Sequence, residues 1–279
     1  MLFCDYQPSE GGDNQKALAD IVDQRGLQHA PCVSVIQPGQ HTALLVEAPD
    51  VDAAELKNAM RWRIKDLIDF HIDDAVIDVF EIPGQTSGHA KLMYAVATRT
   101  AVIQEQIDNI SHANLDLNII DIPELVCRNI TSLLPEDVDG VAFLYLTSKG
   151  GLITLTRQSV LYLARNIDAD ISQVTIDGDI DSNDPQVSMF LDGIVLQIQR
   201  SLDYYESHFL QPPVSSLVVA PMSRNIPGMV TYIANNLGIS VRMLDVNELL
   251  RTTEPLSEAA QASCITAIGA ALRTERKAL

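Results

Sequence analysis

The stretch VAFLYLTSKGGLITLTRQSVLYLARNI, residues 141–167, decides the architecture. It divides into three apolar runs, 141–148, 152–158 and 160–167, separated by tight turns at Lys149–Gly151 and near Ser159. Runs of this length, rich in β-branched and aromatic residues and bounded by turn signals, read as three consecutive strands. Residues 168–186 are acidic and loop-like. A helix follows over about 186–209, which contains DGIVLQIQRSLDYYESHF (192–209). Its apolar positions Ile194, Val195, Ile198, Leu202, Tyr205 and Phe209 fall on one helical face, and Gln197, Gln199, Asp203, Glu206 and His208 fall on the other. Beyond it come a strand at 215–221, a helix at 227–238, a short strand at 239–244 and a last helix at 256–275. Three strands followed by helix, strand, helix, strand and helix form an α/β unit.

The N-terminal half reads differently. NQKALADIVDQRG (14–26) is a helix closed by Gly26. CVSVIQPG (32–39) and TALLVEAP (42–49) are two strands around a turn at Pro38–Gly39. A long helix starts at Asp52 and runs through DAAELKNAMRWRIKDLI, with Leu56, Met60, Ile64, Leu67 and Ile68 on one face. Strands at 74–82 and 91–98 flank the loop GQTSGHA, which reads as exposed. A helix at 100–113, a strand at 115–123 that stops at Pro123, and a helix at 123–134 with proline at its first position complete the half. Residues 32–122 thus alternate as a compact α/β subdomain.

Composition narrows the function. The 279 residues carry 19 Lys and Arg against 37 Asp and Glu, a net charge of −18. A nucleic-acid binder needs a basic surface to neutralise phosphates, and no basic stripe is visible. A bare anionic membrane is an equally poor partner. No run of 18 apolar residues occurs, so no segment reads as a membrane span. The opening MLFCDYQPSEGG lacks the basic-then-apolar pattern of a secretory signal. Cys4, Cys32, Cys127 and Cys264 are scattered and form no CxxC pair, which fits a reducing cytosol and small core residues rather than disulfides or ligands.

Motifs for chemistry are scarce. The acidic run IDGDIDSND (176–184) places Asp177, Asp179 and Asp181 at calcium-loop positions one, three and five. Position six is Ser182 rather than glycine, and position twelve is Ser188 rather than a bidentate glutamate, so a solvated loop is expected. No GxxxxGK[ST], HExxH or GxSxG occurs, and the six histidines are isolated. His208 reads as a charge at a helix C-terminus. Trp62, the single tryptophan, lies between Arg61 and Arg63 and four residues before Asp66. It reads either as a half-buried aromatic packed on the sheet or as a docking anchor, since Trp and Arg are favoured at interfaces.

Three stretches together carry a family resemblance: ELKNAMRWRIKDLIDFHIDDAVIDVFEI (55–82), IQRSLDYYES (198–207) and ITAIGAALR (265–273). In this order they resemble the PilM-like proteins of type IV pilus machines, nearest the MshI branch of the mannose-sensitive haemagglutinin (MSHA) pilus. The wider relatives are the actin-like superfamily with FtsA and GspL. The resemblance implies an actin-like ATPase fold built on ribonuclease-H-like βββαβα units, with an inserted α/β subdomain and an incomplete N-terminal first sheet. In those terms residues 1–31 and 123–138 are the remnant of the first actin-like subdomain, 32–122 the FtsA/PilM-type insertion, and 139–279 the second actin-like subdomain. The RSLDYY helix becomes a central helix of that second unit, with Arg200, Asp203 and Tyr204 on its cleft side.

The departures from the family pattern bear on catalysis. The first phosphate loop, of the type GxDxGSxxxK, is missing, and MLFCDYQP looks like the end of the first sheet. The DxG of the second phosphate loop is YLTSKGG here, with no acid at Leu146–Ser148 to position a magnesium-bound water. The glycine-rich adenosine loop is APMSRNIPG (220–228), where Pro221, Met222 and Ser223 put side chains against the place of a nucleotide and only Pro227–Gly228 survive. The helical connection that follows the third strand in the family is shortened to the acidic loop. Lys149, Gly150, Gly151, Ser223 and Gly228 therefore mark degenerate nucleotide positions. No cofactor, metal or ATPase activity is expected, and Mg·ATP binding is disfavoured. The expected function is a cytoplasmic scaffold, peripheral to the bacterial inner membrane through a partner. It would bind the cytoplasmic tail of a PilN-like bitopic inner-membrane protein and contact the pilus assembly ATPase. Arg61, Trp62, Arg63, Asp66, Arg200, Asp203 and Tyr204 are its candidate partner-binding residues. The alternative is an ATP-binding actin-like switch that regulates pilus assembly.

Overall fold

The computed structural model describes residues 3–7, 14–85, 90–148, 150–169, 185–224 and 226–274. The chain divides into two compact units, Met1–Tyr6 with Glu124–Leu272, and Gln7–Pro123 with Arg273–Leu279. Each unit has its own sheets and core.

The unit from Gln7 begins with α1 (Asn14–Arg25), closed by Gly26 at φ 64°. Next come β1 (Pro31–Val35), β2 (His41–Glu47), α2 (Leu56–Ile64), β3 (Ala75–Glu81), β4 (Leu92–Arg99), α3 (Thr100–His112) and β5 (Asp116–Asp121). The strands expected on either side of Pro38–Gly39 do not pair with each other. β1 runs parallel to β5 in a two-stranded sheet, and β2 joins the antiparallel sheet β2-β4-β3. Parallel pairing needs a long crossover, and here the whole β2–α3 segment supplies it. α2 is shorter than its apolar stripe. Ala53–Glu55 form a turn, and Glu55 gives the helix no side-chain cap. Met60 and Ile64 of α2 are fully buried on Val79, Met93, Ala95 and Ala97.

The other unit follows the expected order. It contains α4 (Pro123–Thr131), β6 (Val141–Thr147), β7 (Gly150–Arg157), β8 (Val160–Ile167), α5 (Pro185–Phe209), β9 (Ser216–Val219), α6 (Met229–Leu237), β10 (Ser240–Met243), the short α7 (Val246–Leu249) and α8 (Glu258–Ala271). The sheet order is β10-β9-β6-β7-β8; β7 is antiparallel to its neighbours, and β9 and β10 are parallel to β6. This is the ribonuclease-H-like arrangement expected from the sequence. β6 is buried along nearly its whole length, as a central strand covered on both faces must be. α4, α7 and α8 cover one face through Cys127, Ile130, Val246, Cys264, Ile265 and Ile268. α5 lies over β7 and β8 and packs on α6. Its buried residues include Ile194, Ile198, Leu202, Tyr205 and Phe209, with Val195 only half-buried. Tyr162 of β8 meets Tyr205 and Phe209 edge-on at 5.6 and 5.5 Å, geometry that adds to the apolar burial.

The glycine of ITAIGAALR has a physical role. A Cβ on Gly269 would lie 2.6 Å from Val126 Cγ1 and 2.7 Å from the Val126 carbonyl oxygen, so α8 crosses α4 at a distance only glycine permits. Asn129 Nδ2 donates to the Gly269 carbonyl at 3.0 Å across the same crossing. Arg273, which ends the motif, pairs with the buried carboxylate of Asp121 at 2.8 Å in the unit to which both residues belong. Among the described residues no helix is long and apolar enough to cross a membrane.

Candidate functional site

In open α/β sheets, ligands bind beyond the carboxyl ends of the parallel strands. In the β6–β10 sheet that region collects the loop after β9, the turn after β10 and the start of α8. A pocket of about 220 Å3 lies there. Its apolar walls are Pro221, Met222, Met243 and Leu244. Asp245, Glu258 and Gln261 supply its polar side.

Local sequence fixes these groups. Asp245 caps α7: its Oδ1 accepts the Asn247 N–H at 2.9 Å and the Gln261 amide at 2.9 Å. The Asn247 N–H, with help from the Gln261 side chain, holds the Asp245 carboxyl below its ordinary range, so it is ionised at neutral pH. Gln261 is buried and fully engaged. Its Oε1 accepts the Val246 N–H at 2.7 Å, and its Nε2 also donates to the Leu256 carbonyl at 3.2 Å. Ser257 caps α8 by accepting the Ala260 N–H at 3.2 Å, and Glu258 stands in the first turn. An anion drawn to this helix end would meet a carboxylate already in place. The pocket is smaller than the roughly 300–1,000 Å3 usual for a small-molecule site and suits one ring or one side chain.

Of the expected nucleotide positions, Gly150 and Gly151 serve strand packing. Lys149 lies outside the described residues, as does the acidic run 176–184. Gly150 has φ 123°, and an added Cβ would lie 3.2 Å from the Ile167 carbonyl oxygen. A Cβ on Gly151 would fall 2.7 Å from Leu146 Cδ2 and 2.8 Å from Ile167 Cγ1. Both glycines therefore let β7 close against its neighbouring strands. Leu146 is buried, and Thr147 donates its hydroxyl to the Gly150 carbonyl at 2.9 Å. In the loop after β9, Pro221 is buried, Met222 half-buried and Ser223 exposed. Gly228, at φ 79°, begins α6 and accepts the Tyr232 N–H at 2.8 Å through its carbonyl. Among the described residues no group of three His, Cys, Asp or Glu could hold a metal ion.

The candidate partner-binding residues fall in two places. On α2, Trp62 is 72% exposed, not half-buried, with the Lys65 ammonium 5.6 Å from its ring centre. Its flanking arginines are tied inward. Arg61 donates to the carbonyls of Ile72 and Ala75 and pairs with Asp73 at 3.4 Å. Arg63 donates to the Glu47 carbonyl at 2.8 Å. Asp66 is exposed just past the helix. On α5, Arg200 and Asp203 are exposed, and Asp203 accepts from Gln199 at 2.8 Å. Tyr204 is half-buried and stacks on His208 at 3.8 Å, with the Arg165 guanidinium 5.6 Å from its ring. Met243, Leu244, Asp245, Glu258 and Gln261 were not anticipated. The available signal was Asp245 directly after a predicted strand and two residues before an asparagine, a helix-cap pattern at the ligand-binding edge of the sheet.

No protein-family model and no curated protein matches this chain. Solved structures do. The chain is similar to one from the PilM–PilN type IV pilus biogenesis complex, at 15% identity and a TM-score of 0.72, over 95% of this chain and 89% of that one. Weaker likenesses include the cytoplasmic domain of EpsL, an inner-membrane component of the type II secretion system of Vibrio cholerae, at 12% identity, TM-score 0.47 and coverage of 91% and 80%. A Bacteroides thetaiotaomicron protein described as having an actin-like ATPase fold and unknown function gives 6% identity, TM-score 0.47 and coverage of 90% and 80%. The fold is actin-like, as the sequence reading expected.

Proposed function

We propose that this chain is a non-catalytic scaffold of a type IV pilus assembly platform, of the MSHA type and the MshI branch. It binds the cytoplasmic tail of a PilN-like bitopic inner-membrane protein and passes contacts to the assembly ATPase. It works in the cytoplasm, held at the inner membrane by that partner. The observation that carries this reading is the whole-chain likeness to the structure from the PilM–PilN complex. Fold alone hosts many functions, so the site must agree. Three features support a lost catalyst. There is no carboxylate at 146–148. The glycines of the β6–β7 turn are accounted for by packing. Side chains of Pro221 and Met222 form pocket wall where a nucleotide loop is otherwise glycine.

The direct test is co-purification. A detergent-solubilised PilN-like protein should retain this chain on an affinity column, and the same protein without its cytoplasmic tail should not. Equal retention by both forms would overturn the tail as the binding element. For the catalytic part, excess Mg·ATP should leave thermal unfolding unchanged. A ligand at 100 times its dissociation constant would instead stabilise by about 2.7 kcal/mol.

A further inference from the structure

We propose that the pocket beyond β9 and β10 seats a cationic side chain, arginine or lysine, presented by a partner polypeptide. The shape and the charge of the pocket both point there. Its volume of about 220 Å3 is enough for one long side chain. Pro221, Met222, Met243 and Leu244 offer an apolar sleeve to a methylene stem, and methionine adapts its shape to whatever enters. The polar side carries two carboxylates, Asp245 and Glu258, both exposed to an incoming group. Asp245 is held in place before any ligand arrives, because one oxygen is fixed by Asn247 and Gln261. Preorganisation of that kind lowers the entropy lost on binding. Among the described residues no cation is paired with Asp245 or Glu258. A chain with net charge −18 also draws in basic segments and repels anionic ones.

The same features disfavour a nucleotide. A triphosphate would bring negative charge towards two carboxylates, and the pocket is below the usual size for such a ligand. The source of the cation rests on the proposed function. Cytoplasmic segments next to a membrane-spanning helix are enriched in lysine and arginine, so the tail of a bitopic partner supplies this chemistry. The pocket itself can be tested without that partner.

The probe is N-acetyl-arginine methylamide, with the citrulline compound as its neutral isostere, titrated into protein carrying 13C-labelled methionine methyls. The arginine probe should shift the Met222 and Met243 signals, while buried Met60 and Met93 stay fixed. Citrulline should leave all of them in place. The Asp245→Asn, Glu258→Gln double variant should weaken the arginine response about fivefold. Asparagine preserves the cap on α7, so that variant should keep its fold, which circular dichroism would verify. Equal shifts with citrulline, an undiminished response in the double variant, or Mg·ATP moving the same two methyls more strongly would each overturn the proposal. Failure of a tail peptide to bind wild-type protein would instead count against the proposed function, since the arginine titration is read independently.

Discussion

Gly269→Ala separates tertiary packing from intrinsic helix preference, because the two predict opposite signs. On an isolated helix, alanine is better than glycine by about 1 kcal/mol. In α8 the new Cβ would stand 2.6 Å from Val126 Cγ1 and 2.7 Å from the Val126 carbonyl oxygen. A side chain can rotate away, whereas a helix carbonyl can move only with its helix. Relieving the contact therefore requires α4 and α8 to separate by roughly 0.7 Å, and overpacking of this type costs about 1–3 kcal/mol. Separation also strains the buried bond from Asn129 to the Gly269 carbonyl, and a buried amide left without its acceptor costs about 1–3 kcal/mol. After the alanine gain is offset, the net loss should be about 1–5 kcal/mol. Urea unfolding of wild type and variant, followed by circular dichroism, gives the difference at constant slope. A loss below 1 kcal/mol, or any stabilisation, would refute the close crossing of α4 and α8.

Three further outcomes follow from the geometry. Arg273→Ala leaves Asp121 buried without its ion pair and should cost about 3–5 kcal/mol in urea unfolding, with part of the loss restored in the Arg273→Ala, Asp121→Asn double variant. Gly151→Ala should destabilise by about 1–3 kcal/mol through contact with Leu146 and Ile167, measured as a lowered thermal midpoint. Glu136 receives two bonds from Arg242, at 2.6 and 3.2 Å, and the Arg242 hydrogen bond holds its carboxyl below the ordinary value of 4.5. A depressed carboxyl adds stability that is full above 4.5 and is lost as pH falls through the folded value. Urea midpoints taken from pH 7 down to 3 should therefore fall more steeply for wild type than for Glu136→Gln, with wild type ahead by about 1 kcal/mol at neutral pH and that advantage lost at the acid end.

β6, β7 and β9 were legible because they are buried along most of their length and read as apolar runs, which turn glycines then punctuate. The α5 stripe was legible for the same reason, at helical period. Partner strands were harder. Nothing in CVSVIQPG says that its neighbour lies more than 80 residues downstream at Asp116–Asp121, because parallel pairing leaves no turn signature between the two strands. The limits of α2 were missed because Leu67 and Ile68 continue the apolar pattern after the helix hydrogen bonds have ended. Site residues were legible only when their roles are local. The cap at Asp245 could be read from three adjacent residues, whereas its meeting with Glu258 across a pocket depends on where two chain segments return to the sheet. Arg61 and Arg63 look alike beside Trp62 in sequence, and only the structure shows both guanidinium groups turned to backbone carbonyls.

The central claim is that a PilN-like tail binds this chain without nucleotide. Isothermal titration of the tail peptide into the protein, first without nucleotide and then with excess Mg·ATP, tests it most directly. The account predicts one site with the same dissociation constant in both titrations. Binding that appears only with Mg·ATP, or that tightens tenfold with it, would contradict the account and make the chain a nucleotide switch.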